Sequence, residues 1–259
     1  MGPTNSPARR RIHFMDEIRG LDILLMVLFH SFYIGGWLFD LAWGRAVFLF
    51  FKPVESFFSG IFIFICGISC HLSHNNWRRG IGVGVCALLI SLTLWLVMPD
   101  QMIRFGILHF LATAILLFTL FRPLLDKVPV LPGVLACLAL LALTWHLPLE
   151  DGGYFGIPGL FQWYTPRAVQ DCTWLYGLGL GIGYGQDYFP ILPWIFCFLM
   201  GAFLGKLAEQ ERFPAWMYTS RVPFFSWAGK HTLVIYLLHQ PAAFAVYWLG
   251  TALWKALAG

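Results

Sequence analysis

The sequence predicts an all-α fold: a polytopic transmembrane helical bundle of about seven spans with a cytoplasmic N-terminus. Three observations carry that prediction. Of the 259 residues, 59% are hydrophobic and only 12% are charged, where a soluble domain carries about 25% charged residues. Apolar runs of spanning length recur along the chain. Basic residues collect on alternate connecting segments, the pattern that orients helices across a membrane.

The expected spans cover residues 20–38, 46–72, 80–98, 103–121, 129–147, 188–206 and 231–254, read together as one integral-membrane domain over 1–259. The polar start MGPTNSPARRR precedes a run too long for a signal-peptide core, so the first helix reads as retained. With the N-terminus inside, the inner segments hold Arg9, Arg10, Arg11, Arg19, Arg78, Arg79, Arg122, Lys127, Lys206, Arg212, Arg221 and Lys230. The outer segments hold only Arg45, Arg104, Arg167 and Lys255, leaving Lys52 within the second span. That bias places the one long connection, about 148–187, outside, with Glu150, Asp151, Asp171 and Asp187 on it. Phe213–Trp227 is an aromatic, proline-containing stretch that either lies at the interface or packs as a partial helix. The net charge of +4 comes from residues at the ends of apolar runs and does not point to nucleic acid. Cys66, Cys70, Cys86, Cys137 and Cys197 lie inside apolar runs and Cys172 in a loop, so no disulfide framework is implied.

The stretch RGLDILLMVLFH, Arg19–His30, is the organising feature. Eleven positions make about three helical turns, so both ends share a face roughly 16 Å apart along the axis. An arginine at the cytoplasmic surface and an ionisable histidine near the bilayer midplane form a functional-site candidate; the competing reading is a helix-end anchor and a packed histidine. Lys52-Pro53-Val54-Glu55 places a carboxylate at a depth near that of His30, where Glu55 either orients His30 or simply pairs with Lys52. Pro53 is expected to kink that helix. Arg104 and His109, in RFGILH, fall in the outer half of the fourth expected span; a satisfied interhelical histidine is the simpler reading. DYFPILPW puts Asp187 at the outer start of the sixth span, as a helix cap or as a ligand for a sugar hydroxyl or amine. In GKHTLVIYLLHQP, Lys230 and His231 sit at the inner mouth, His239 lies deeper, and Pro241 is expected to interrupt the backbone ladder. GLGLGIGYG does not fit a dinucleotide-binding glycine motif and reads as an outer loop. CHLSH, Cys70–His74, is one short cluster, and no metal is expected.

These residues resemble bacterial membrane proteins related to the catalytic domain of heparan-α-glucosaminide N-acetyltransferase. More distantly, the chain is similar to transmembrane acyltransferases whose first helix carries an Arg, ten residues, then a His. The matching stretches are DEIRGLDILLMVLFHSFY, FIFICGIS (Phe62–Ser69), GILHF (Gly106–Phe110), DYFPILPW and GKHTLVIYLLHQP. The resemblance implies transfer of an acetyl or other acyl group from cytoplasmic acyl-CoA to an amine or hydroxyl of a glycan or glycolipid at the outer face of a bacterial inner membrane. Arg19, Arg78, Arg79 and Lys230 then offer cations for the CoA phosphates. His30 becomes base or acyl carrier with Glu55 as its partner, and Arg104, His109, Asp187 and His239 face the acceptor. Membrane lipid is an implied partner, nucleic acid is not, and self-association into a homo-oligomer is left open. Two other classes stay in view: a transporter or channel with an intramembrane His/Glu path, and a non-catalytic membrane subunit. No internal repeat of the kind many transporters carry is evident.

Overall fold

The computed structural model describes residues 10–148, 153–180 and 187–258. Each of the seven expected spans is a helix or a helix pair. Helix α1 (His13–Tyr33) continues through a π-turn at Ile34–Leu38. It starts before the apolar run, so Arg19 lies well inside it. Helices α2 (Ala42–Phe51) and α3 (Glu55–Leu72) are joined by a 3₁₀ turn at Lys52–Val54. Pro53 lacks a backbone donor and sits in that break. Helix α4 (Asn76–Val97) is opened by Asn75, whose side chain accepts from the Arg78 N–H at 2.9 Å. Helices α5 (Ile107–Leu125) and α6 (Val130–Thr144) follow. The long connection holds a hairpin, β1 (Tyr154–Ile157) and β2 (Phe161–Tyr164), then the short α7 (Arg167–Gln170) and a 3₁₀ segment at Thr173–Leu178. Helix α8 (Ile191–Glu209), a 3₁₀ turn at Ala215–Tyr218, α9 (Pro223–Lys230) and α10 (Thr232–Ala258) complete the chain.

Six of these spans are long and apolar enough to cross a bilayer. The protein is thus an integral membrane protein. Helix α6 differs: its 15 residues rise about 22 Å at ~1.5 Å per residue, short of a ~30 Å hydrocarbon core. Pro241 gives no N–H to the backbone ladder, yet α10 runs through it, as membrane helices tolerate when neighbouring groups re-satisfy the freed carbonyl. One local expectation is corrected. Arg104 is not helical: α5 begins at Ile107 behind the extended Gly106, leaving Arg104 exposed in the preceding turn. Arg9, Glu150, Asp151 and the second half of the glycine-rich loop, residues 181–185, lie outside the described residues.

The chain divides into two compact units. One runs up to Phe62 and resumes at Phe213; in it α1 packs against α2, α9 and α10. The Phe213–Trp227 stretch is thereby resolved in favour of a partial helix, since most of it forms the lead into α9 and the body of α9 itself. The other unit, Ile63–Arg212, pairs α4 with α5 and α6 with α8. There α3 and α8 cross at van der Waals limits: a Cβ on Gly67 would come within 2.9 Å of the Ala202 nitrogen. One on Gly201 would come within 2.8 Å of the Phe64 carbonyl carbon. The core around the crossing is Ile63, Phe110, Ile115, Phe118 and Phe198, all nearly or fully buried. Lys206 donates to the Leu125, Asp126 and Val128 carbonyls at 2.7, 3.2 and 2.7 Å. These lie at and just beyond the C-terminus of α5, where a helix lacks partners and favours a cation.

Candidate active site

In the first unit, α1 carries His30 and α10 carries His239, and the two imidazoles meet edge to face with centroids 5.2 Å apart. His239 is 6% exposed. Its Nδ1 lies 2.5 Å from the Tyr236 carbonyl oxygen. A carbonyl only accepts, so Nδ1 carries the proton and, in the neutral ring, Nε2 holds the lone pair. That Nε2 is buried with no partner among the described residues. His30 is half-buried. Its Nδ1 accepts from the Gln240 side-chain amide at 3.4 Å, which puts the neutral ring's proton on Nε2. The site therefore presents one imidazole with a bare, buried lone pair and a second held by a long, replaceable amide contact.

Glu55 is paired with Lys52 at 2.5 Å. The Lys52 ammonium lies 5.9 Å from the Phe29 and Phe48 rings, and its charge acts on His30. Glu55 thus bears on His30 through Lys52.

Roughly three turns from His30, the same unit gathers its cations. A Cβ on Gly20 would come within 2.7 Å of the Phe225 carbonyl carbon and 2.9 Å of the Gly229 nitrogen; one on Gly229 would meet Asp16 in the same way. Only paired glycines let α1 and α9 approach this closely. The crossing brings Arg19, next to Gly20, and Lys230, next to Gly229, to one end of the unit. Arg19 donates to Asp16 at 3.2 Å, and the buried Asp16 also accepts from Arg11 at 2.6 Å. Glu17, likewise buried, accepts from the Arg221 and Val222 N–H groups at 2.7 and 2.9 Å and from the Ser220 and Ser226 hydroxyls at 3.1 and 3.3 Å. One carboxylate on α1 thus fixes the entry to α9.

The remaining candidates lie in the second unit. Arg78 is exposed at the start of α4. Arg79 is turned inward, its guanidinium 3.0 Å from Cys66 Sγ and 3.8 Å from Cys70 Sγ. At the other end, His109 Nδ1 accepts from the Gly106 N–H at 3.3 Å, and its Nε2 lies 3.3 Å from Ser91 Oγ, which itself donates to the Ile103 carbonyl. His109 is a satisfied interhelical residue that caps its own helix. The α8 cap is Pro190, with no side-chain bond. The Asp187 carboxylate lies instead beside Gly106, where a Cβ would come within 2.9 Å of Oδ2, at the positive end of α5. Phe189 N–H bonds to the Phe105 carbonyl at 3.1 Å. Arg104, His109 and Asp187 therefore share one end of this unit. Beside them Tyr176 and Tyr188 pack with ring centroids 4.5 Å apart. Burial raises the Tyr188 hydroxyl above its ordinary value, with Tyr176 adding to the effect, and Tyr188 donates to the Tyr176 carbonyl at 2.5 Å. Burial also raises Tyr176, opposed by the Arg104 charge.

Sequence reading missed Glu17, Gly20, Gly229 and Gln240. Asp16–Glu17 at the head of an apolar run was the available signal, since paired acids entering a membrane helix need partners.

The first unit thus sets two imidazoles, one buried and one half-buried, between α1 and α10, about three turns from a basic end. Residues 11–241 match the family described as heparan-alpha-glucosaminide N-acetyltransferase, catalytic. The chain belongs to that family of membrane acetyltransferases. Neither the curated proteins nor the solved structures contain a match to the chain.

Proposed function

We propose that the protein transfers an acetyl, or another acyl, group from acyl-CoA on the cytoplasmic side to an amine or hydroxyl of a glycan or glycolipid on the far side of a bacterial inner membrane. The observation that carries this reading is the imidazole pair His30–His239, packed together about three turns from the Arg19–Lys230 end in a chain of an acetyltransferase family. Arg19 and Lys230 hold the CoA phosphates; in the second unit Arg78, exposed at the start of α4, is a separate candidate cation, and Arg79 is engaged by the Cys66 and Cys70 sulfurs. Asp187, Arg104 and His109 bind the acceptor's hydroxyls or amine.

In the chemical step, the acceptor N–H or O–H attacks the thioester carbonyl. The new C–N or C–O bond forms as the C–S bond breaks. An imidazole takes the acceptor's proton and returns it to the departing CoA thiolate. His239 has the prepared lone pair, its Nδ1–H tied to the Tyr236 carbonyl. His30 exchanges its Gln240 contact for the reacting group and acts as base or as transient acyl carrier.

The test is incubation of purified protein with radiolabelled acetyl-CoA and membrane glycans, followed by product identification. His30→Gln keeps polarity and removes the base, and it lowers transfer by about 10²–10⁴-fold. His239→Gln lowers it to a similar degree. A folded His30→Gln protein with near-normal transfer refutes the role of His30. Loss of labelled acyl-enzyme in that variant identifies the carrier route.

A further inference from the structure

We propose that the β1–β2 hairpin is a membrane-seated element, lying in the lipid–water interface with one face on the acyl-chain boundary of the outer leaflet. The register pairs Phe155 with Trp163 and Ile157 with Phe161, and Tyr154 with Tyr164 and Gly156 with Gln162. Directly opposed residues share a face. One face is therefore Phe155, Ile157, Phe161 and Trp163, wholly apolar, and the other is Tyr154, Gly156, Gln162 and Tyr164. Tyr154 ties the hairpin to the protein: it is half-buried, it stacks on His146 with centroids 4.9 Å apart, and its N–H bonds to the His146 carbonyl at 3.1 Å, whereas Gln162 and Tyr164, 60% exposed, stay outside, with the Tyr164 hydroxyl donating to Gln162 at 2.9 Å. The apolar face is turned away, with Trp163 77%, Phe161 47% and Ile157 40% exposed. At the tip, a Pro158–Gly159 turn closed by the Leu160 N–H to Ile157 carbonyl bond leaves Leu160 74% exposed. No charged residue occurs between Gly153 and Tyr164; Arg167 follows.

The position of the hairpin identifies what covers it. Its base is fastened to the end of α6, where Thr165 N–H bonds to the Gly153 carbonyl at 2.8 Å and Gly153 abuts the Leu147 backbone. Helix α6 is about 8 Å shorter than the hydrocarbon core, so its end, and the hairpin joined to it, stay at membrane depth. Helix α6 itself exposes Leu131, Leu135 and Leu138, and Trp145 just beyond its end is exposed as well. Trp and Tyr favour the interface. The outer edges of a two-stranded sheet carry unpaired backbone groups, which interfacial water satisfies and hydrocarbon does not. The hairpin therefore lies in the interface and not in the core.

The test places an environment-sensitive NBD label on Leu160→Cys and, separately, on Trp163→Cys. Both side chains are exposed, so the fold tolerates the change. Each protein is reconstituted in phosphatidylcholine vesicles, and the unsubstituted protein supplies the background of native thiols. The expected result is emission shifted to the blue of NBD-cysteine in buffer, weak quenching by iodide, and stronger quenching by a headgroup spin label than by one deep in the acyl chain. Quenching by iodide equal to that of the free dye overturns the proposal by placing the hairpin in water. Protection from iodide and from both spin-labelled lipids overturns it by showing a protein cover. Stronger quenching by the deep label overturns the interfacial depth.

Discussion

Replacing Gly20 with alanine tests whether the α1–α9 crossing holds the Arg19–Lys230 end of the first unit together. The new Cβ would lie 2.7 Å from the Phe225 carbonyl carbon and 2.9 Å from the Gly229 nitrogen, both backbone atoms that no rotamer change can move aside. Ordinary carbon contacts are about 3.5–4.0 Å, so the helices must part by roughly 1 Å. Glu17 lies one turn away and bonds the Arg221 and Val222 N–H groups at 2.7 and 2.9 Å. A 1 Å separation takes both past the ~3.2 Å limit of a good bond. Helix propensity favours alanine by about 1 kcal/mol. Overpacking costs about 1–3 kcal/mol, and each bond lost to a charged acceptor about 1.5–3 kcal/mol. The net effect is a loss of roughly 3–8 kcal/mol, read as a fall in thermal midpoint of roughly 6–30 °C. The assay is thermal unfolding of purified protein in detergent, with Gly82→Ala as the control. Gly82 also sits in a helix, but its Cβ would meet nothing within 4 Å, so that variant gains a few tenths of a kcal/mol to about 1. Equal midpoints for the two variants would refute the reasoning.

Further outcomes follow from the same geometry. Arg19→Ala weakens acyl-CoA binding measured by calorimetry while the thermal midpoint moves little, since its Asp16 partner keeps Arg11. Arg19→Lys restores binding only in part, because an ammonium cannot form the bidentate phosphate contact; unchanged affinity in Arg19→Ala removes the residue from this role. Glu55→Gln leaves the Lys52 charge uncompensated beside His30, which disfavours the imidazolium formed in the transfer step. Turnover should fall by less than in His30→Gln and be regained in the double variant Lys52→Met/Glu55→Gln, whereas a loss that the second substitution does not relieve would show that Glu55 acts by another path.

The spans were legible because burial in lipid demands uninterrupted apolar length, and composition records that directly. The Arg19–His30 alignment was legible because both lie on one helix, where spacing fixes direction. The Lys52–Glu55 pair was legible for the same local reason. What spacing could not show was anything joined across the chain. His30 and His239 come from opposite ends of the sequence, and nothing local in either helix marks the other as its neighbour. Glu17 and the α9 entry are separated by 204 positions, and Gly20 and Gly229 read as ordinary helix glycines until their backbones are seen to touch. The Arg104 misplacement had a local cause. Apolar content carried the expected helix back to residue 103, whereas Gly106, in extended conformation and backed by the Asp187 carboxylate, starts it four residues later.

The Glu17 contact also sets an order of events during synthesis. The second unit is one continuous stretch and can assemble as soon as it is inserted. The first is built from two stretches far apart in sequence, so α1 enters the membrane with Glu17 lacking its final neighbours, while Asp16 already has Arg11 and Arg19. Gly229 follows Gly20 by 209 positions, about 10–40 s of translation at ~5–20 residues per second. Throughout that interval the half carrying His30 is held open by the ribosome's own pace. A nascent chain in which the second unit has emerged but residues 220–226 have not would carry an α1 whose Glu17 is still open to capture by an insertion factor or a chaperone.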